Sequence, residues 1–109
     1  MYIVVRSDIP PGHQLAQAVH AAFQFSVEHP GLCDNWYRSS NYLVVVSVPD
    51  EDALIPVVAN AIGSDLPFSL VREPDMGDQI TSVALPPGDV SRKLCANFPL
   101  ALKGLVMSP

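Results

Sequence analysis

The residues best suited to chemistry fall in two short segments. In the first, His13, Gln17, His20 and Gln24 recur at i, i+4, i+7 and i+11. On a helix that spacing gathers them on one side. An imidazole can exchange a proton near neutral pH, and a carboxamide both donates and accepts hydrogen bonds, so such a stripe could position and activate a small polar reactant. A solvated helix face carries the same pattern, and more often. The spacing is poor for a metal, because His13 and His20 stand two turns apart, roughly 10 Å along a helix axis, where helical ligand pairs need i and i+4. No metal ligands are expected. The stripe follows Pro10-Pro11-Gly12, so it begins at a helix N-terminus, whose free N–H groups can face an anion.

The second segment is Glu73-Pro74-Asp75-Met76-Gly77-Asp78, with three carboxylates around a proline and a glycine. It fits an acidic solvated turn, and it lacks the alternation and distal glutamate of a calcium loop. Thr81 and Ser82 follow, with hydroxyls able to face core or cleft. There is no Gly-x-Ser-x-Gly elbow and no Gly-rich phosphate loop. Cys33 and Cys95 form neither a CxxC nor a plausible disulfide framework, which suits reduced thiols in a cytosolic protein.

These residues need elements to hold them. Tyr2-Ile3-Val4-Val5 reads as a buried strand, stopped by Ser7-Asp8-Ile9-Pro10-Pro11-Gly12. From His13 to Glu28 the chain is rich in Ala and Gln and reads as a helix ended by His29-Pro30-Gly31. Leu15, Val19, Ala22 and Phe23 mark its expected core face. Residues 32–41 suggest a short helix or loop. Tyr42 to Val48 is the clearest strand, apolar enough for burial on both faces. Asp50 is the expected N-cap of a helix from Glu51 to Ile62, with Pro56 as an interior fault and Gly63 as its stop. Phe68 to Arg72 and Ile80 to Leu85 complete four strands, and Val90 to Phe98 suits a last short helix. After Pro99 the tail is apolar. Strands alternating with helices imply an α/β layered fold, expected as a single domain over 1–109.

With 49% apolar and 16% charged residues, the 109-residue chain should fold around one core. No run approaches the roughly 20 apolar residues of a membrane helix. Arg6 and Asp8 interrupt the first apolar run, so no signal peptide is expected, and the location expected is cytoplasmic. The net charge is −5, from 6 Lys+Arg against 11 Asp+Glu. That is the wrong sign for binding nucleic acid through a broad basic surface, and Arg6, Arg38, Arg72, Arg92, Lys93 and Lys103 are the only cations for a local patch.

Three pieces together resemble the archaeal and eukaryotic type of peptidyl-tRNA hydrolase. Tyr2-Ile3-Val4-Val5-Arg6 with Ser7-Asp8-Ile9 is similar to that family's opening strand and its Arg-x-Asp-Leu ending. Gly12-His13-Gln14-Leu15-Ala16-Gln17-Ala18-Val19-His20-Ala21-Ala22 resembles its Gly-Lys-x-Ala-Ala-Gln-x-x-His-Ala-Ala helix start. Asp75-Met76-Gly77, with Thr81 downstream and Val83-Ala84-Leu85-Pro86-Pro87 beyond, resembles its Asp-Ala-Gly-x-Thr loop and last strand. The likeness runs over residues 2–98. It implies a three-layer α/β/α fold with a four-stranded mixed sheet, usually as a homodimer. The implied activity is cleavage of the ester between a peptide and the 3′ end of tRNA, without a cofactor. Carried over position by position, His13, Asp75, His20 and Thr81 are the catalytic candidates. Gly12, Gln17, Arg6, Gly77 and Ser82 are the substrate-binding ones. His13 stands where the family has lysine, and Gln79 where it has the loop threonine. Two readings follow: an esterase acting on peptidyl-tRNA, or an inactive module of the same fold that binds a protein or small ligand.

Overall fold

The computed structural model describes residues 1–104; residues 105–109, the end of the expected domain and of its apolar tail, lie outside the described residues. Four strands form one mixed sheet: β1 (Tyr2–Arg6), β2 (Val44–Val48), β3 (Ser69–Glu73) and β4 (Gln79–Leu85), in the order β2-β1-β4-β3. β1 pairs in parallel with β2 and antiparallel with β4, and β4 pairs antiparallel with β3. Helices α1 (Pro11–Glu28) and α2 (Pro30–Arg38) make the long crossover from β1 to β2 that a parallel pair requires. Helix α3 (Glu51–Gly63) links β2 to β3, and α4 (Asp89–Cys95) follows β4.

The sheet is covered on both faces. One face packs Ile3 and Ala84 against Ala21 and Phe25 of α1. The other packs Val4, Val46, Val83 and Leu85 against Leu54, Val57 and Ala61 of α3 and Cys95 of α4. This is the expected three-layer α/β/α arrangement, and burial of β1 from both sides explains its apolar run Tyr2-Ile3-Val4-Val5. Burial also pushes the Cys95 thiol up to about 11, so it stays protonated as a small apolar core group.

Most element boundaries follow local chemistry. α1 begins at Pro11, two residues before the expected start, because proline suits the first helical position. Pro30 opens α2 in the same way, so His29-Pro30-Gly31 ends one helix and starts the next. Asp50 caps α3, its Oδ1 accepting from the Ala53 N–H at 3.0 Å. α3 continues past Pro56 to Gly63.

The face of α1 is the correction. Leu15, Val19 and Phe23, expected in the core, are exposed, and the residues that α1 buries are Gln14, Gln17, Ala21 and Phe25. The cause lies in β4. Between Val71 and Arg72 the register with β4 slips: Val71 pairs with Ser82 and Arg72 with Ile80, so Thr81 is an extra residue without a partner. Such a bulge re-aims a side chain. Ile80 turns to the α3 face, while Thr81 and Ser82 both send hydroxyls to α1. Buried hydroxyls must be paired, and α1 pairs both, Thr81 through the Gln17 side chain and Ser82 through the Gln17 carbonyl.

Candidate active site

Gln17 is the joint between α1 and the two strands beneath it. Its Oε1 accepts from Thr81 Oγ1 at 2.6 Å, its Nε2 donates to Glu73 Oε2 at 3.1 Å, and its backbone carbonyl accepts from Ser82 Oγ at 2.7 Å. Thr81 and Ser82 are fully buried and Gln17 nearly so. Glu73 passes the order on, its other carboxylate oxygen accepting from the Asp75 N–H at 3.1 Å. The Pro74–Met76 turn therefore has a fixed seat over α1. Gly77 and Asp78, at φ of 64° and 61°, reverse the chain into β4 in the left-handed conformation that glycine adopts freely and Asp tolerates.

A hollow of about 230 Å³ results, lined by Ile9, His13 and Gln17 on one side and Glu73, Asp75 and Met76 on the other. An imidazole, a carboxamide and two carboxylates thus share one small space at the start of α1. Pro10 offers no capping side chain, and Pro11 has no N–H. The first-turn amides of Gly12 and His13 have no acceptor among the described residues, so the positive end of the helix dipole faces outward here. The arrangement can hold a polarised carbonyl at the helix end and a water beside a carboxylate or imidazole. Among the described residues, no three His, Cys, Asp or Glu side chains are grouped to hold a metal ion.

The family model of peptidyl-tRNA hydrolase PTH2 matches residues 1–94, which include this whole hollow. The chain belongs to the PTH2 family. Among solved structures it is similar to a protein of unknown function from Agrobacterium tumefaciens strain C58. The TM-score is 0.67 and the identity 14%, with 91% of this chain and 94% of that one covered, a likeness of fold alone. No curated protein matches the sequence.

The residues singled out from the PTH2 resemblance do not all meet. His13, Gln17 and Asp75 line the hollow, Thr81 and Ser82 lie beneath it through Gln17, and Gly12 opens the helix above it. Gly77 sits just past the loop turn. His20 is exposed two turns along α1 from His13, outside the hollow. Arg6 is 6% exposed, and its donors are engaged within the protein. Nε and Nη2 grip both oxygens of Asp8 at 2.6 and 2.7 Å, and Nη1 reaches Gln79 Oε1 at 2.7 Å and the Ile80 carbonyl at 3.3 Å. The Arg6 hydrogen bonds hold the Asp8 carboxyl below the usual carboxylate range. Glu73 was not among the residues expected to act, although it fixes both Gln17 and Asp75. Its place beside Pro74-Asp75 at a strand end was the available sign.

Proposed function

We propose that this protein is a cytoplasmic peptidyl-tRNA hydrolase that works as a pair of identical chains and cleaves the ester between a peptide and the tRNA 3′ end. The observation that carries the reading is the meeting of His13 and Asp75 across one hollow at the open N-terminus of α1. Family membership supports the same substrate class. In this mechanism the ester carbonyl lies against the Gly12 and His13 amides, which stabilise the oxyanion as it forms. Asp75, its loop seated by Glu73, orients the attacking water. His13, in its neutral form, takes the water's proton and returns one to the departing ribose oxygen. Gln17, tied to Thr81 and Glu73, keeps helix and loop at the separation the water needs. Gly77 lets the loop turn, and Ser82 holds the Gln17 backbone.

Release of the peptide from a diacylaminoacyl-tRNA is the test, comparing wild type with His13→Ala and Asp75→Ala. A general base contributes about 10²–10⁴-fold, so each variant should lose at least about 100-fold in kcat while keeping its far-UV circular dichroism. A clean wild-type preparation without turnover, beside an active family control, would leave the inactive binding module as the correct reading.

A further inference from the structure

The two edges of the sheet are finished differently. Along β2 the segment after α4 supplies a partner: the Ser47 N–H donates to the Pro99 carbonyl and the Ala101 N–H to the Val45 carbonyl, each at 2.9 Å, and Leu100 bridges to Val46. β3 lies at the opposite edge, and among the described residues it pairs only with β4. An edge strand offers its outward N–H and C=O groups as a template for another extended chain, and proteins usually guard it with charge or proline. Ser69-Leu70-Val71 carries neither. Charge enters only with Arg72 and Glu73, and the nearest prolines, Pro67 and Pro74, stand outside the strand.

A hollow of about 500 Å³ follows this open edge, lined by residues 68–72 without a break and by Gln24 and Glu28 of α1. Successive residues of a strand point to opposite faces of the sheet. Five in a row can border one hollow only where it runs along the backbone itself. The same hollow leads toward the candidate site. On the strand side, Arg72 borders it and the next residue, Glu73, lines the His13–Asp75 hollow. On the helix side, Gln24 borders it and Gln17 lines the His13–Asp75 hollow, with the exposed His20 between them. The two walls match in length, at about 13 Å from Ser69 to Glu73 and about 10 Å from Gln17 to Gln24.

We propose that the peptide of the substrate lies along this edge as an added strand, hydrogen-bonded through its backbone to β3 and running outward from the His13–Asp75 hollow. The inference rests on the hydrolase reading for the identity of the occupant. A hydrolase that accepts peptides of every sequence cannot depend on side-chain pockets. Main-chain hydrogen bonds are common to all residues but proline, and in strand addition they supply the affinity. The length of β3 sets the reach, at about four peptide residues beyond the ester. Along an added strand, alternate residues turn their N–H and C=O groups to β3 and those between turn them to solvent. His20 then stands beside the peptide and takes no part in the chemistry.

Binding of N-acetylated oligoalanines to the wild-type protein tests it, each joined to the 3′ position of adenosine through an amide in place of the ester. Kd should fall as the peptide grows over roughly the first four residues and then level off. N-methylation of one peptide nitrogen at a time should weaken binding about 2- to 10-fold at every second residue and little at those between. The bound probe should also slow hydrogen exchange in Ser69–Glu73 and leave Val44–Val48 unchanged. A Kd that is flat from one residue onward overturns the inference. So do N-methyl effects without alternation, or protection that misses β3. The matching esters, run for turnover, separate the two readings. Ester cleavage with a flat Kd would overturn the peptide track and leave the hydrolase intact, while an alternating, length-dependent Kd without ester cleavage would do the reverse.

Discussion

Every polar atom of the Gln17 side chain is matched to a group from a different element: Thr81 on β4 and Glu73 at the end of β3. Removing such a hub takes a partner from Glu73 and leaves Thr81 Oγ1 with only the Val71 carbonyl at 3.4 Å, at about 1–3 kcal/mol for each lost bond. Gln17→Ala should therefore lower the urea midpoint by the equivalent of about 2–3 kcal/mol, and Thr81→Val by about 1–2. The double variant should lose less than the two effects added, because one hydrogen bond is counted in both. Strict additivity would mean that the Gln17–Thr81 bond contributes nothing. Arg6 and Asp8 make a second residue-scale case, with a pH signature. Asp8 has a folded pKa below its ordinary value because Arg6 donates two hydrogen bonds to it. Its contribution is thus fully present above the ordinary carboxylate range and is lost as pH falls through the lowered folded value. Asp8 is partly exposed, so Asp8→Asn should cost only about 1–2 kcal/mol at pH 7. That gap should close on acidification, as followed by denaturation midpoints from pH 7 down to pH 2. A gap that stays constant would remove the ion pair from the explanation.

At the scale of elements, the strands and α3 could be read directly, because each declares itself locally. Val44 to Val48 is apolar but for Ser47, and Asp50 is a cap with a helix behind it. The orientation of α1 could not be read the same way. Its apolar stripe is real, but periodicity says only that two sides differ, not which one meets the sheet. The deciding fact is a one-residue slip in the β3–β4 pairing, which puts two hydroxyls beneath α1. A bulge leaves no local mark in Ile80-Thr81-Ser82-Val83. The same bulge leaves the Ile80 N–H to bond Glu51 Oε2, at 2.6 Å, on the α3 side. The hollow was half legible for the same reason: His13, Gln17 and Asp75 carry suitable chemistry, while the role of Glu73 depends on how the hairpin seats on Gln17. Pro56 offers a test at this scale. It lies exposed inside α3 and withholds the N–H that the Asp52 carbonyl would accept. Pro56→Ala should restore that bond and raise stability by about 1–3 kcal/mol, read as a higher melting temperature. No rise would mean that α3 has already adjusted its axis around the proline.

The whole molecule carries few cations, and most are already engaged. Arg6 is buried against Asp8, Arg38 pairs with Asp34, Arg92 with Asp89, and Arg72 Nη1 donates to the Asp78 carbonyl. Lys93 and Lys103 have no ion pair among the described residues. A protein holding a tRNA body through phosphate contacts displaces about 0.7–0.9 counterions per contact, and its apparent affinity falls with salt to that power. Counting Arg72 with the two lysines, at most three cations are ready for phosphate. The logarithm of kcat/KM against the logarithm of salt concentration should therefore have a slope no steeper than about −3. On the hydrolase reading proposed above, the same charge count implies that recognition centres on the ester end, at the α1 amides and the His13–Asp75 hollow. A short aminoacyl ester carrying only the terminal nucleotides should then retain most of the kcat seen with full-length peptidyl-tRNA, with the loss confined to KM. A slope near −4.5, or a short substrate that loses kcat as well, would show that Arg38 and Arg92 leave their carboxylates to grip phosphate. In that case recognition of the tRNA body, and not of its acylated end alone, would control turnover.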